Sequence, residues 1–175
     1  MAKGIPIVIL LSLVLFPPAL KAGQTSRGPL DVTLSPQDGF KSIVDAIKGA
    51  KSEILVQSYA INSKLIVNAL AGAHKRGVKA VAVLDGNLKN QANSEVVSLT
   101  RAGIPVYIDD MHSEFYDTVI IIDRSVLVSG SFNFAGAETE RKSANLLLIK
   151  GNKALVDKFI RQVEEHKSHS VLYHF

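Results

Sequence analysis

The chain has 175 residues, 47% of them hydrophobic, with 20 Lys and Arg against 16 Asp and Glu and no cysteine. This length favours one domain with a sizeable core, and the missing cysteine excludes thiolate metal sites, a cysteine nucleophile and disulfides. A formal charge of +4 is too small for a protein held on nucleic acid by electrostatics alone.

Residues 1–22, MAKGIPIVILLSLVLFPPALKA, carry one early cation, Lys3, then an apolar run from Ile5 to Phe16, a break at Pro17 and Pro18, and small residues. This is the three-part form of a secretory signal peptide, with cleavage expected after Ala22. The run is shorter than the roughly 20 residues of a membrane-spanning helix, although an uncleaved membrane anchor is the alternative. Export to the periplasm or beyond is the expectation. Without Lys3 and Lys21 the balance is 18 basic against 16 acidic residues, a net of +2.

Residues 23–29 are polar with Gly and Pro and read as a flexible leader; the domain is expected over 30–175. The segment DVTLS predicts a short strand, and Ser35 a helix cap. Phe40, Ile43, Val44 and Ile47 recur at helical spacing, predicting a helix over 37–50. A strand over 53–59 follows. Ser63 opens a second helix with Leu65, Ile66, Ala69, Leu70 and Ala73 inward, stopped by Gly77. A strand over 79–85, a helix over 93–103 closed by Gly103, and a strand over 105–108 complete the alternation. This pattern predicts an α/β layered sandwich with a mixed, mainly parallel sheet flanked by helices. Three apolar runs, TVIIID, SVLVSG and ANLLLI, then predict further strands. Leu155, Val156, Phe159, Ile160 and Val163 predict a last helix over 153–166. The pair His166 and His169, at i and i+3, could bind a metal adventitiously, but His166, His169 and His174 read as a frayed polar helix end and tail, and no metal or other cofactor is expected.

Within GSFNF, Gly130 permits close backbone approach, and Ser131 and Asn133 place a hydroxyl and an amide where they can hold an anion. By themselves these are ordinary turn residues. Together, however, VIIIDRSVLVSGSFNF and the following SANLLLI resemble the phospholipase D superfamily, and the small single-motif bacterial endonucleases and phospholipase D-like proteins in particular. KSEILVQSYAINSKLIVNALAGAHKRGVKAVAVLD and LTRAGIPVYIDD are similar in order and spacing to that family's N-terminal half.

The resemblance implies a motif His-x-Lys-x-x-x-x-Asp followed by Gly-Ser-x-Asn, and metal-independent hydrolysis of phosphodiesters in nucleic acid or phospholipid through a phosphohistidine. With one motif per chain, it also implies a homodimer. Carried over, Asp123 matches the motif Asp, and Gly130, Ser131 and Asn133 match the substrate-binding half. The His position is Tyr116, the Lys position Thr118, and the supporting Glu position, before Asn145, is Ala144. An impaired or inactive phosphodiesterase that still binds phosphodiesters is therefore expected. An active enzyme with a rearranged site using Tyr116 or His112, and a purely structural or partner-binding domain, are the alternatives. The plainer expectations are that Tyr116 fills the vacated space and that His112 is an ordinary surface histidine in the loop before the strand.

Overall fold

A computed structural model describes residues 30–33, 36–87, 95–112, 116–131, 134 and 145–174. Residues 1–29, where the signal peptide and leader are expected, and Ser35, Asn133 and Ala144 lie outside the described residues. The element order is β1 (Leu30–Thr33), α1 (Pro36–Gly49), β2 (Glu53–Ser58), α2 (Lys64–Lys75), β3 (Lys79–Asp85), α3 (Val96–Arg101), β4 (Val106–Asp109), β5 (Thr118–Ile122), β6 (Val126–Gly130), β7 (Leu146–Lys150), α4 (Lys153–His169) and β8 (Val171–Leu172). The strands form one sheet in the order β1-β7-β6-β5-β2-β3-β4-β8.

The layered α/β sandwich with a mixed sheet is as expected, but fewer neighbours are parallel than the term mainly parallel implies. β1, β2, β3, β4 and β6 run one way, yet only β2–β3 and β3–β4 pair in parallel. Among the described residues, adjacent strands are linked by a helix only at β2–β3 and β3–β4, through α2 and α3, whereas α1 joins β1 to β2 and α4 joins β7 to β8 across the sheet. β5, β6 and β7 follow one another without a described helix between them and pair antiparallel. Their unbroken apolar runs reflect burial on both faces, which is also the habit of parallel strands.

One face of the sheet (Ile54, Val56, Leu84, Ile120, Val128) packs with residues of α1, α2 and α3 such as Ile47, Ile66 and Leu99. The alternate residues, Leu55, Val83, Val119, Ile121 and Leu127, meet Val156, Ile160 and Val163 of α4. Ser63 caps α2 by accepting from the Ile66 N–H at 3.4 Å. Leu65, expected inward, is exposed at the start of α2, and Val67 is buried in its stead. The strand expected over 105–108 runs one residue further, to Asp109, and α4 runs three residues beyond its expected end. β8, read as tail, pairs antiparallel with β4 through Tyr107–Leu172 and Ile108–Val171.

β5 and β6 are joined by a tight turn in which the Ser125 N–H reaches the Ile122 carbonyl at 3.0 Å. Its residues Asp123 and Arg124 both have φ of 50°. Asp tolerates this left-handed conformation better than most residues because its short side chain bonds locally.

Candidate functional site

The motif-bearing segments meet at one end of the central strands. Thr118, first in β5, pairs with Ser58 of β2. The β5–β6 register carries it toward Gly130, last in β6. Thr118 is buried, so the position that would need a cation holds a short neutral side chain with little access to solvent. Ser58 turns its hydroxyl away, to the Ala60 carbonyl at 2.8 Å. Tyr116 does not fill the vacated space. It is 76% exposed and stacks on Tyr59, ring centroids 5.8 Å apart. The reason is that β5 begins only at Thr118, while Tyr59 at the end of β2 offers a ring face outside the sheet. Asp117 points to the α4 side, where its carboxylate takes the Gln57 Nε2–H at 2.9 Å. That bond orients the buried Gln57 amide and leaves its Oε1 without a hydrogen-bond partner among the described residues.

Gly130 and Ser131 are held by Asn145. The Ser131 N–H donates to Asn145 Oδ1 and the Asn145 N–H donates to Ser131 Oγ, each at 3.1 Å. A Cβ on Gly130 would lie 2.4 Å from the Asn145 carbonyl oxygen, and Gly130 has φ of 148°. Phe134 is fully buried and bridges to Ile61, while the Asn62 N–H donates to its carbonyl at 2.9 Å. Ser131 and Phe134, on either side of Asn133 in the sequence, are thus each held in place. Ser131 itself is exposed, so its hydroxyl can still donate to a bound oxyanion.

Asp123, grouped by sequence with the catalytic positions, sits at the other end of β5, about 16 Å from Thr118 along the strand. Its carboxylate accepts from the backbone N–H groups of Lys51, Ser52 and Glu53 and from the Ser52 hydroxyl. It therefore clamps the α1–β2 connection to the β5–β6 turn. Burial alone would raise its pKa, but the Ser52 and Lys51 N–H groups, the Ser52 hydroxyl and the Glu53 N–H outweigh burial and hold it below the usual value. A lowered pKa means that the clamp is at full strength above about pH 4, where an unfolded Asp is ionised, and is lost as pH falls through the folded value. Asp123→Asn keeps the shape and the tolerance of positive φ. It should cost about 2 kcal/mol at pH 7 in denaturant unfolding, with the difference from the parent shrinking below pH 4; a gap that does not change with pH would overturn the clamp. A groove of about 450 Å³ lined by Asp45, Asp123, Val126 and Lys150 lies at this turn end, away from Thr118 and Ser131.

A family model described as cardiolipin synthase, PLD-like domain, matches residues 43–167. The chain belongs to the phospholipase D-like family. It is 33% identical over 153 residues to a phospholipase D of Rickettsia prowazekii, covering 87% of this chain and 74% of that protein. It is 24% identical over 132 residues to a mitochondrial cardiolipin hydrolase of Mus musculus, covering 74% and 60%. Among solved structures it resembles the phospholipase D family member Nuc from Salmonella typhimurium, with a TM-score of 0.78 and 28% identity over 84% of this chain and 99% of that one. NucT from Helicobacter pylori shares the fold, with a TM-score of 0.73 and 17% identity over 83% and 99%.

On this phospholipase D-like frame, the histidines lie away from the motif. His74 Nδ1 lies 3.2 Å from the Val78 carbonyl. His112 is no ordinary surface histidine: its Nδ1 lies 3.1 Å from Oδ2 of Asp109. The same oxygen is 2.6 Å from His166 Nδ1 and 3.0 Å from His169 Nε2. These two belong to an ordered α4 rather than to a frayed end. His174 is exposed beyond the edge strand β8. Thr118, Ser58, Leu84 and Ile108 are successive partners across the sheet, which puts the Asp109 cluster on the order of 14 Å from Thr118. Sequence reading missed Asp109. The available signal was an Asp at the end of a parallel strand, three residues before His112, together with the i, i+3 pair on α4.

Proposed function

We propose that this is an exported phospholipase D-like protein whose phosphodiester-hydrolase site is catalytically impaired or inactive, with a phosphodiester-binding floor retained at Ser131 and Asn133. The nucleophile position, its cationic partner and its orienting acid are Tyr116, Thr118 and Ala144. The observation that carries this reading is the place of His112. Its imidazole is committed to Asp109, three strands from Thr118, so the nearest histidine in sequence is not available to replace the missing nucleophile. Tyr116 is a poor substitute. A phenol with a pKa near 10 needs a base or cation to become a nucleophile; Thr118 provides neither, and the nearby Asp117 charge opposes ionisation. Loss of a covalent nucleophile can cost on the order of a millionfold in rate.

The ligand is a phosphodiester of phospholipid or nucleic acid, and the names of the Rickettsia and mouse relatives make phospholipid the first to try. One motif per chain points to a two-fold homodimer that brings two half-sites together.

The test incubates the mature protein with a phosphatidylcholine analogue, DNA and RNA in the presence of chelator, and measures vanadate or tungstate binding in parallel. Turnover near background is expected, together with oxyanion binding that weakens in Ser131→Ala. Chelator-resistant turnover abolished by Tyr116→Phe or His112→Ala would establish a rearranged active enzyme instead. Absence of oxyanion binding would leave a structural or partner-binding domain.

A further inference from the structure

The Asp109 cluster is built from three separate parts of the chain: the end of β4, the segment after it, and the last two turns of α4. The Asp109 side chain is fully buried, and those of His166, His169 and His112 are 14%, 24% and 45% exposed. One ligand atom from each of the four residues lies within 4.8 Å of the other three. The three imidazoles crowd together, with ring centroids 4.9 to 5.7 Å apart.

As hydrogen bonding alone this arrangement is oversubscribed. A carboxylate oxygen has about two lone-pair positions, yet three imidazole nitrogens converge on Oδ2 while Oδ1 accepts the Met111 N–H at 3.0 Å. If all three imidazoles were protonated, three positive charges would crowd one negative charge. A cation at the centre resolves both difficulties, because each neutral imidazole then contributes a lone pair and the carboxylate a charge.

We propose that Asp109, His112, His166 and His169 form a closed four-ligand site for a zinc-class divalent cation, which ties the end of α4 to the segment leading into Tyr116. A tetrahedron with metal–ligand bonds of about 2.0 Å has edges of about 3.3 Å. The observed nitrogen-to-Oδ2 separations of 2.6 to 3.1 Å need to open by about 0.2 to 0.7 Å to reach that edge, and ligand atoms as far as 4.8 Å apart draw inward onto the cation. Three nitrogens and one oxygen suit zinc and its late first-row neighbours, whereas magnesium and calcium prefer all-oxygen sets. Four protein ligands make a structural site rather than a catalytic one, which keeps an open position. Its distance from Thr118 makes the proposal independent of whether the phosphodiester site is active.

The experiment uses untagged full-length protein stripped with chelator, then titrated with Zn²⁺ against a competing chelator, with Co²⁺ absorption as a geometric probe and Mg²⁺ as control. One equivalent of Zn²⁺ should bind, the Co²⁺ form should show tetrahedral d–d bands, and Tm should rise by about 5 °C or more with Zn²⁺ but not with Mg²⁺. His166→Ala should weaken Zn²⁺ binding more than about 100-fold. His112→Ala, at the most exposed ligand, tests the same point without threatening the fold. Binding that is absent at micromolar Zn²⁺, octahedral Co²⁺, or affinity unchanged in His112→Ala would each overturn the site, the last outcome meaning adventitious binding elsewhere.

Discussion

Restoring Tyr116→His, Thr118→Lys and Ala144→Glu together is expected to raise chelator-resistant phosphodiester hydrolysis at least about a thousandfold over the parent protein. Side chains two residues apart on an extended strand face the same way at a separation of roughly 7 Å, so an imidazole and an ammonium at 116 and 118 can address one phosphate. Position 118 is already set against the Gly130–Ser131 corner by the sheet register. Position 116 must give up its stack on Tyr59, which explains why a supporting carboxylate at 144, beside the clasped Asn145, is part of the design. Tyr116→His alone should gain little, because an unoriented imidazole without its cation supplies neither tautomer nor charge. A fluorogenic phosphodiester assay and trapping of a phosphohistidine are the measurements. No gain from the triple substitution while oxyanion binding persists would refute the proposal that these three positions are what limits catalysis.

The largest structural loss is expected at Gly130→Ala. A methyl group there would sit 2.4 Å from the Asn145 carbonyl oxygen, which is backbone and cannot step aside, and the residue would have to keep φ of 148°. The penalty should be about 3 kcal/mol or more. In a chain of this length that corresponds to a fall in Tm on the order of 10 °C. The same displacement breaks the Ser131–Asn145 clasp and should abolish vanadate binding. Ser131→Ala is the control. It removes one partly exposed hydrogen bond, at a cost of about 1 kcal/mol, and leaves the backbone in place. Equal stability of Gly130→Ala and the parent, measured by urea unfolding, would contradict the close packing of β6 on the Asn145 backbone.

Hydrophobic period and punctuation in the sequence were enough to place most elements. Ile43 and Ile47 report the inner face of α1, the unbroken run TVIIID reports a strand buried on both sides, and Ser63 and Gly77 bracket α2. These are local effects, decided within a few residues by side-chain direction and backbone freedom. The spacing from Asp123 to Asn133 likewise carried the family, because motif spacing survives even where the residues that perform chemistry do not.

Long-range contacts decided the rest. Asp123 looks like one of the catalytic positions in sequence, yet it proved a clamp on the α1–β2 backbone 70 residues away. Tyr116 sits outward because Tyr59 offers a ring there, a pairing that only the β2–β5 register creates. His112, His166 and His169 are separated by up to 57 residues and carry no local signal of convergence. They meet because Asp109 is buried at the end of β4 beneath α4, and a buried carboxylate is tolerated only where the fold gathers positive or donating groups around it.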